Sequence, residues 1–102
     1  MFCTMKIYVS ASKDDEFTVK WKSLNDVSLF YDGERHTLPS YEWQVDVKNR
    51  IKIVPCYYPQ QDALMWDVFV FNRNRRDPYV DSFNSSEDAM EFIMTEYENY
   101  II

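Results

Sequence analysis

The sequence has very little glycine, histidine and cysteine, and each shortage excludes a class of site. Among 102 residues there is one glycine, Gly33, and one histidine, His36. A glycine-rich phosphate-binding loop is therefore excluded, because such a loop needs several glycines. The two cysteines, Cys3 and Cys56, are far apart and form no Cys-x-x-Cys motif. With one histidine beside them, they do not predict a structural zinc site, and we expect no metal and no cofactor.

Long apolar runs are also missing. None approaches the ~20 residues that a membrane-spanning helix needs. Residues 1–9 alternate between apolar and polar side chains and lack both the apolar block and the small-residue cleavage site of a signal peptide. These features predict a cytoplasmic protein that does not enter a membrane, with both cysteines reduced.

Patterns typical of catalysis are absent. A Ser-His-acid or Cys-His arrangement could use only His36, and nothing around it in the sequence supports that role. The 17 acidic residues will always supply some pair of carboxylates, so such a pair does not indicate a hydrolase. We therefore expect a protein that is not an enzyme.

Basic residues are missing from the last quarter of the chain. The net charge is -6. Residues 1–51 carry eight acids and seven bases, residues 52–76 two acids and four bases, and residues 77–102 seven acids and no Lys or Arg. The net charges of the three segments are therefore -1, +2 and -7. This distribution disfavours binding to duplex nucleic acid and favours a protein partner with a basic surface.

Alternating apolar residues predict an antiparallel sheet. The segments 2–10, 17–22 and 41–47 alternate in the manner of half-buried strands. Asp32-Gly33 predicts a type I′ hairpin turn that places Leu29 opposite His36.

Two prolines are expected to limit the strands. Pro39 should interrupt the alternation, and Pro55 should end the strand that begins at Ile51 or place it on an edge. Residues 56–62 are predicted to be a loop.

The most continuously apolar stretch is residues 64–72. It predicts a central strand covered on both faces, with Val68 and Val70 buried. A basic turn over residues 72–78 and a short strand over 79–83 follow it.

Residues 86–102 predict an acidic amphipathic helix. Its N-cap is Ser85, acting with Asp88, or else Ser86. A stripe at helical spacing should face the core: Ala89, Met90, Ile93, Met94, Tyr97, Tyr100 and Ile101. The fold class we predict is α+β, with an antiparallel sheet of five to seven strands and one C-terminal amphipathic helix packed on one face. Residues 1–102 are expected to form a single domain.

The acidic side of this helix is the main candidate binding surface. Glu87, Glu91 and Glu98 cluster on the helical wheel, and Phe92 lies off the apolar stripe between Asp88 and Glu96. Exposed helix faces usually mix Lys with Glu, and this one has no Lys. Residues four apart rise ~6 Å along a helix, which is close to the spacing of successive phosphates in a nucleic-acid strand. The alternative interpretation is an ordinary solvated face.

Aromatic residues are too numerous for a core of this size. The chain has eight Tyr, seven Phe and three Trp, and exposed rings often anchor binding partners. The candidates for exposure are Tyr8, Phe30, Tyr57, Tyr58, Tyr79 and Phe92. We assign Tyr57 and Tyr58 to partner binding. Alternatively, tyrosines with Arg73, Arg75 and Arg76 would bind single-stranded nucleic acid.

In size and acidic composition the chain resembles small acidic proteins encoded by bacteriophages and other viruses, which often block host enzymes. The resemblance implies a non-enzymatic protein-binding module in the host cytoplasm that inhibits a host nucleic-acid enzyme by nucleic-acid mimicry. Two alternatives remain open. One is a single-stranded nucleic-acid binding protein, and the other is a structural or assembly component that forms homo-oligomers through a sheet edge.

Overall fold

A computed structural model describes residues 21–102. Some predictions lie outside this range: the strand at 2–10, most of the strand at 17–22, and those for Cys3 and Tyr8. Five strands and one helix follow in chain order: β1 (Lys22–Tyr31), β2 (Glu34–Gln44), β3 (Arg50–Tyr58), β4 (Ala63–Phe71), β5 (Tyr79–Phe83) and α1 (Ser86–Glu96), then a 3₁₀ turn (Tyr97–Asn99). The strands are antiparallel to their neighbours in the order β1-β2-β3-β4-β5. The α+β layout is as predicted.

The β1–β2 hairpin is built on the predicted turn. Asp32 and Gly33 have φ values of 55° and 75°, and a type I′ turn needs positive φ at both of these positions. Leu29 then pairs with His36, as the sequence predicts. A two-residue turn of this type fixes which residues pair next to it, here from Tyr31 with Glu34 to Val27 with Leu38.

Pro39 does not end β2, which runs through it from Glu34 to Gln44, but the alternation of buried residues is interrupted at Pro39 as predicted. Leu24 pairs with Ser40 and Val27 with Leu38, so two β1 residues lie opposite Pro39 alone. This arrangement is a β-bulge, which locally disrupts the hydrogen-bonded ladder. Proline has no N–H to donate to a ladder. The bulge lies opposite Pro39, so the ladder is irregular at the residue that lacks this donor.

Pro55 does not end β3, and residues 56–58 belong to this strand and not to a loop. Pro55 pairs with Trp66 of β4. On the other side of β3 the ladder to β2 reaches only Ile53, which pairs with Tyr41. Pro55 therefore lies past the end of that ladder, at a local edge of the kind that tolerates proline.

The core lies between α1 and one face of the sheet. Ala89, Met90 and Ile93 of the helix are fully buried. The predictions that Val68 and Val70 are buried are confirmed, since both have no exposed surface. The other large buried side chains come from the sheet and its start: Trp21, Tyr41, Trp43, Ile51, Ile53 and Trp66.

The opposite face of the sheet is less completely covered. Phe69 and Phe71, whose side chains alternate with those of Val68 and Val70, are half-buried. Among residues 21–102, α1 packs on one face only. The predicted covering of β4 on both faces is therefore not what this part of the chain shows.

Helix α1 begins as predicted and ends earlier than predicted. The Ser85 side chain accepts a hydrogen bond from the backbone N–H of Asp88 at 3.1 Å, so Ser85 is the N-cap. The helix ends at Glu96 instead of continuing through residue 102. Its successor is a 3₁₀ turn closed by a hydrogen bond from Tyr100 N–H to the Tyr97 carbonyl. No helix in residues 21–102 is long and apolar enough to cross a membrane.

The turn between β2 and β3 departs from the predicted alternation. Strand β2 ends at Gln44, and Val47, the last apolar residue of the predicted strand 41–47, is 94% exposed. Asp46 organises the turn by accepting hydrogen bonds from the backbone N–H groups of Lys48 and Asn49. The Asn49 side chain adds a third bond at 2.9 Å. This bond first, and the Lys48 backbone bond next, hold the pKa of Asp46 below its usual range.

Candidate partner-binding surface

A shallow groove of about 420 Å³ runs along the outer side of α1. Its apolar floor is formed by Phe83 and Phe92, whose ring centroids are 5.0 Å apart. The remaining lining residues are Asp88, Glu91, Thr95 and Glu96. The groove thus combines two aromatic rings with three carboxylates, and four of its six lining residues are predicted site residues.

Phe92 is less exposed than the sequence indicates. Its ring packs against Phe83 at the end of β5 and lies 6.3 Å from the ring of Tyr100. The chain passes from Phe83 to the first residue of α1 within three residues. The Phe83 ring, the last side chain of β5, therefore contacts the helix at Phe92, about one and a half turns after the helix begins. The sequence predicts the strand and the helix but not this contact between them, and Phe83 was missed as a site residue for that reason.

None of the carboxylates around the groove forms an ion pair within 4 Å with a basic residue of the described chain. Glu87, Asp88 and Glu91 are exposed, and Glu96 is half-buried. The one ion pair within 4 Å in residues 21–102 joins Arg50 to Glu42. Glu87 and Asp88 lie in the first turn, where the helix dipole stabilises negative charge.

The other end of the helix does not favour negative charge. Glu96 is the last residue of α1, where the dipole opposes a carboxylate. Its Oε1 instead accepts a hydrogen bond from the Asn99 side chain at 2.7 Å. Glu98 lies beyond the helix in the 3₁₀ turn and is exposed. The regular row predicted for Glu87, Glu91 and Glu98 on one helix is therefore limited to its first two members.

Tyr58, one of the residues predicted to bind a partner, instead forms hydrogen bonds within the protein. Its hydroxyl donates to the carboxylate of Asp67, with distances of 2.9 and 2.8 Å to the two oxygens. Ser82 Oγ donates to the same carboxylate at 2.7 Å. Asp67 is buried, so this cluster satisfies a carboxylate that would otherwise be costly to bury.

Tyr57 belongs to a stack of rings near the hairpin. Its ring centroid is 4.8 Å from that of Tyr31, which in turn lies 3.9 Å from the ring of His36. The Tyr57 hydroxyl donates a hydrogen bond to Asp62. Neither Tyr57 nor Tyr58 lines the groove on α1, so the structure does not bring the two parts of the predicted site together.

The environment of Tyr57 makes its hydroxyl harder to ionise. The hydrogen bond to Asp62, followed by burial, raises the pKa of Tyr57 to about 12, from an ordinary value of 10.0. The neutral phenol is favoured by the fold, so this contribution to stability is present below pH ~10 and is lost as the pH rises through ~12. Alkaline titration followed by ultraviolet absorbance should show a late phase near pH 12 that loses the absorbance of one tyrosine in Tyr57→Phe.

Asp62→Asn is the matched variant for this titration. Asp62 has φ of 51°, a conformation that Asn also tolerates, so the turn should be retained. Loss of the carboxylate should return the pKa of Tyr57 toward its ordinary value. An unchanged late titration in Asp62→Asn would contradict the role given to Asp62.

The basic turn forms where it was predicted, but its three arginines do not act together. Arg73 and Arg76 are exposed. The Arg75 guanidinium lies 5.4 Å from the ring centroid of Tyr100 and donates to the backbone carbonyl of Tyr79 at 3.4 Å. Arg75 therefore helps to hold the turn against the end of the chain, which leaves Arg73 and Arg76 as the two exposed cations of the turn.

Residues 21–102 contain no group of three or more side chains placed to hold a metal ion. Cys56 is a free thiol, and burial together with the nearby charge of Asp67 raises its pKa. A raised pKa lowers the fraction of reactive thiolate. Comparison of the chain with protein-family models, with curated proteins and with solved structures gave no match in any of the three searches.

Proposed function

We propose that this protein is a non-enzymatic binding module whose acidic helix groove binds a basic surface of another protein. The observation that supports the proposal most is the combination of an aromatic floor with carboxylates that no described basic residue neutralises. The groove residues meant here are Phe83, Asp88, Glu91, Phe92 and Glu96.

The physical argument has two parts. Exposed carboxylates of one sign produce a field that attracts a cationic partner and speeds its association. Charge alone gives little affinity, because exposed ion pairs contribute about 0–1 kcal/mol. The half-buried Phe92 supplies the apolar contact that such a surface otherwise lacks, since aromatic anchors carry much of the binding energy in protein interfaces.

The proposal extends to the kind of partner. The surface of the partner that accepts these carboxylates would be basic, as are the clefts in which proteins hold nucleic acid. We propose that the partner is a nucleic-acid enzyme and that this protein inhibits it by occupying the enzyme's nucleic-acid cleft. Glu87 and Glu91, separated by one helical turn, take the places of neighbouring phosphates.

The test compares two variants with the same change of net charge. Glu91→Lys reverses a charge at the groove, and Glu34→Lys reverses one in the exposed part of the hairpin. Each shifts the net charge from -6 to -4, so a general effect of charge will be the same in both. Proteins retained from a cell lysate by the parent, and by each variant, are identified and measured by quantitative mass spectrometry.

We expect Glu91→Lys to reduce retention of the partner about tenfold or more, because a favourable contact becomes a repulsive one. Glu34→Lys should retain it as the parent does, and added duplex DNA should release it from the parent. Circular dichroism checks that both variants are folded. Equal retention by the two variants would show that the acidic groove is only a solvated surface.

A further inference from the structure

The sheet face that turns away from α1 carries a row of aromatic rings. Phe69 and Phe71 project from the same side of β4, with ring centroids 6.2 Å apart and planes inclined by 20°. Tyr79 of β5 pairs with Phe69, and its ring packs edge-on at 6.0 Å. Tyr79 is 42% exposed, while the two phenylalanines are half-buried. Three neighbouring rings are therefore partly accessible on a surface made by two paired strands.

Basic side chains lie directly beside these rings. Arg50 pairs with Phe71 and Lys52 with Phe69 across the β3–β4 ladder, so all four lie on the same face. The Arg50 guanidinium stacks over the Phe71 ring at 4.8 Å from the centroid, and its side chain is still 43% exposed. Two further exposed arginines, Arg73 and Arg76, follow within a few residues of the end of β4 at Phe71.

One carboxylate competes for these cations. Glu42 pairs with Lys52 across the β2–β3 ladder and lies 3.8 Å from Arg50. The contact is long for an ion pair, and exposed pairs of this kind are weak. An anionic group of a ligand could therefore displace Glu42 from Arg50 at little cost.

The acidic groove does not cancel the charge of this face. The carboxylates of the groove lie on α1, which packs against the other side of the sheet. A sheet and the layer packed on it are separated by about 10 Å, and the screening length at physiological salt is about 8 Å. The two faces of the protein thus present opposite charges that are largely screened from each other.

We propose that this second face, formed by Phe69, Phe71, Tyr79, Arg50 and Lys52, binds single-stranded nucleic acid. Bases stack on the aromatic rings, and phosphates contact Arg50 and Lys52, with Arg73 and Arg76 extending the basic path beyond β4. A single strand fits because its bases can be splayed onto rings of a sheet, whereas paired bases in a duplex present no free face. Stacking on rings does not depend on the base, so binding should show little sequence preference.

The experiment is fluorescence anisotropy with labelled single strands of about ten nucleotides, oligo-dT and oligo-U, and with a duplex of the same length. We expect both single strands to bind and the duplex to bind at least about tenfold more weakly. If about three phosphates are contacted, the log–log slope of affinity against salt should be about -2.

Five substitutions locate the site. Phe71→Leu removes the ring but keeps an apolar side chain, and should weaken binding about tenfold. Arg50→Gln should also weaken it, whereas Arg35→Gln, the same charge change in the exposed hairpin, should leave affinity within about twofold. Glu42→Gln removes the competing carboxylate and should tighten binding about threefold. If Phe71→Leu is not folded by circular dichroism, Tyr79→Leu, at a more exposed ring, takes its place.

Absence of any anisotropy change at low salt would overturn the proposal. So would equal binding by Arg50→Gln and Arg35→Gln, or weaker binding by Glu42→Gln. Self-association that depends on Arg50, detected by sedimentation, with no binding of either single strand, would instead show that the face receives the acidic helix of a second copy. Loss of single-strand binding leaves the function proposed for the α1 groove intact, because no residue is shared between the two surfaces.

Discussion

Replacing Trp66 with alanine is expected to destabilise the protein by about 3–5 kcal/mol, the range seen when a buried tryptophan or phenylalanine is truncated. Trp66 lies in β4 on the face covered by α1, is 9% exposed, and pairs with Pro55 on one side and Phe83 on the other. Its ring is also 6.2 Å from that of Tyr41. Removing it leaves a cavity between three strands that the rigid sheet cannot easily close. Denaturation by urea, followed by circular dichroism, measures the loss.

Phe69 provides the comparison on the same strand. Its side chain points to the opposite face and is half-buried, so Phe69→Ala is expected to cost about 1–2 kcal/mol. From the sequence alone both aromatics would be given the larger cost, since both faces of β4 are apolar. A cost of about 3 kcal/mol or more at both positions would mean that the second face is covered as fully as the first. A cost below about 1 kcal/mol at both would contradict the position of β4 inside the sheet.

The hairpin and the helix stripe were predictable because their signals are local. Asp32-Gly33 fixes the turn, and the turn fixes the pairing of Leu29 with His36 through geometry that involves few residues. The stripe that includes Met90 and Ile93 follows from helical periodicity, which does not depend on what the helix packs against.

Contacts between elements distant in sequence were not predictable in the same way. The effect of Pro39 depends on a bulge in the partner strand, and that of Pro55 depends on where the neighbouring ladder ends. The burial of Phe92 depends on Phe83, which the turn between β5 and α1 brings to it. For the same reason, the sequence indicates the acidic side of the candidate site but not its aromatic floor.

The early end of α1 also has a tertiary cause. Residue 102 is held by the side chain of Asn49, whose Nδ2 donates to the Ile102 carbonyl and whose Oδ1 accepts from the Ile102 N–H, both at 3.0 Å. Asn72 Nδ2 adds a bond to the Tyr100 carbonyl at 3.1 Å. These bonds pair the last residues with the β2–β3 turn and the end of β4. If the helix continued, the Ile102 N–H would bond to the Glu98 carbonyl, so its bond to Asn49 competes with a longer helix.

Asn49 is therefore expected to be the most sensitive polar position in the described chain. It is fully buried, and its side chain also donates to Asp46 and accepts from Asn72 Nδ2, each at 2.9 Å. Asn49→Ala removes four hydrogen bonds and leaves several partners without one, so a loss of about 2–4 kcal/mol is expected. The matched control is Asn74→Ala, at an exposed position, which should change stability by no more than about 0.5 kcal/mol.

Asn49→Asp changes the hydrogen bonds of this side chain while keeping its shape. The new carboxylate has nearly the same volume, but it replaces the donor that faces Asp46 and the Ile102 carbonyl with an acceptor. At neutral pH two carboxylates then face each other beside a buried site, and the variant should be at least as unstable as Asn49→Ala.

The pH dependence of Asn49→Asp should be opposite to that of the parent at this turn. In the parent the pKa of Asp46 is lowered by its hydrogen bonds, so its contribution to stability is present above the ordinary pKa of a carboxyl group and is lost as the pH falls through the lowered value. In the variant the pKa of the introduced carboxyl group should be raised by burial and by Asp46, so the native state binds a proton more readily than the unfolded chain. Stability should then rise as the pH falls from about 7 toward ~4, where the introduced group, once protonated, can donate a hydrogen bond again. Urea denaturation of the parent and the variant across this range measures both slopes. A variant whose stability is independent of pH, or that matches the parent at neutral pH, would show that the Asn49 side chain does not hold the last residues of the chain.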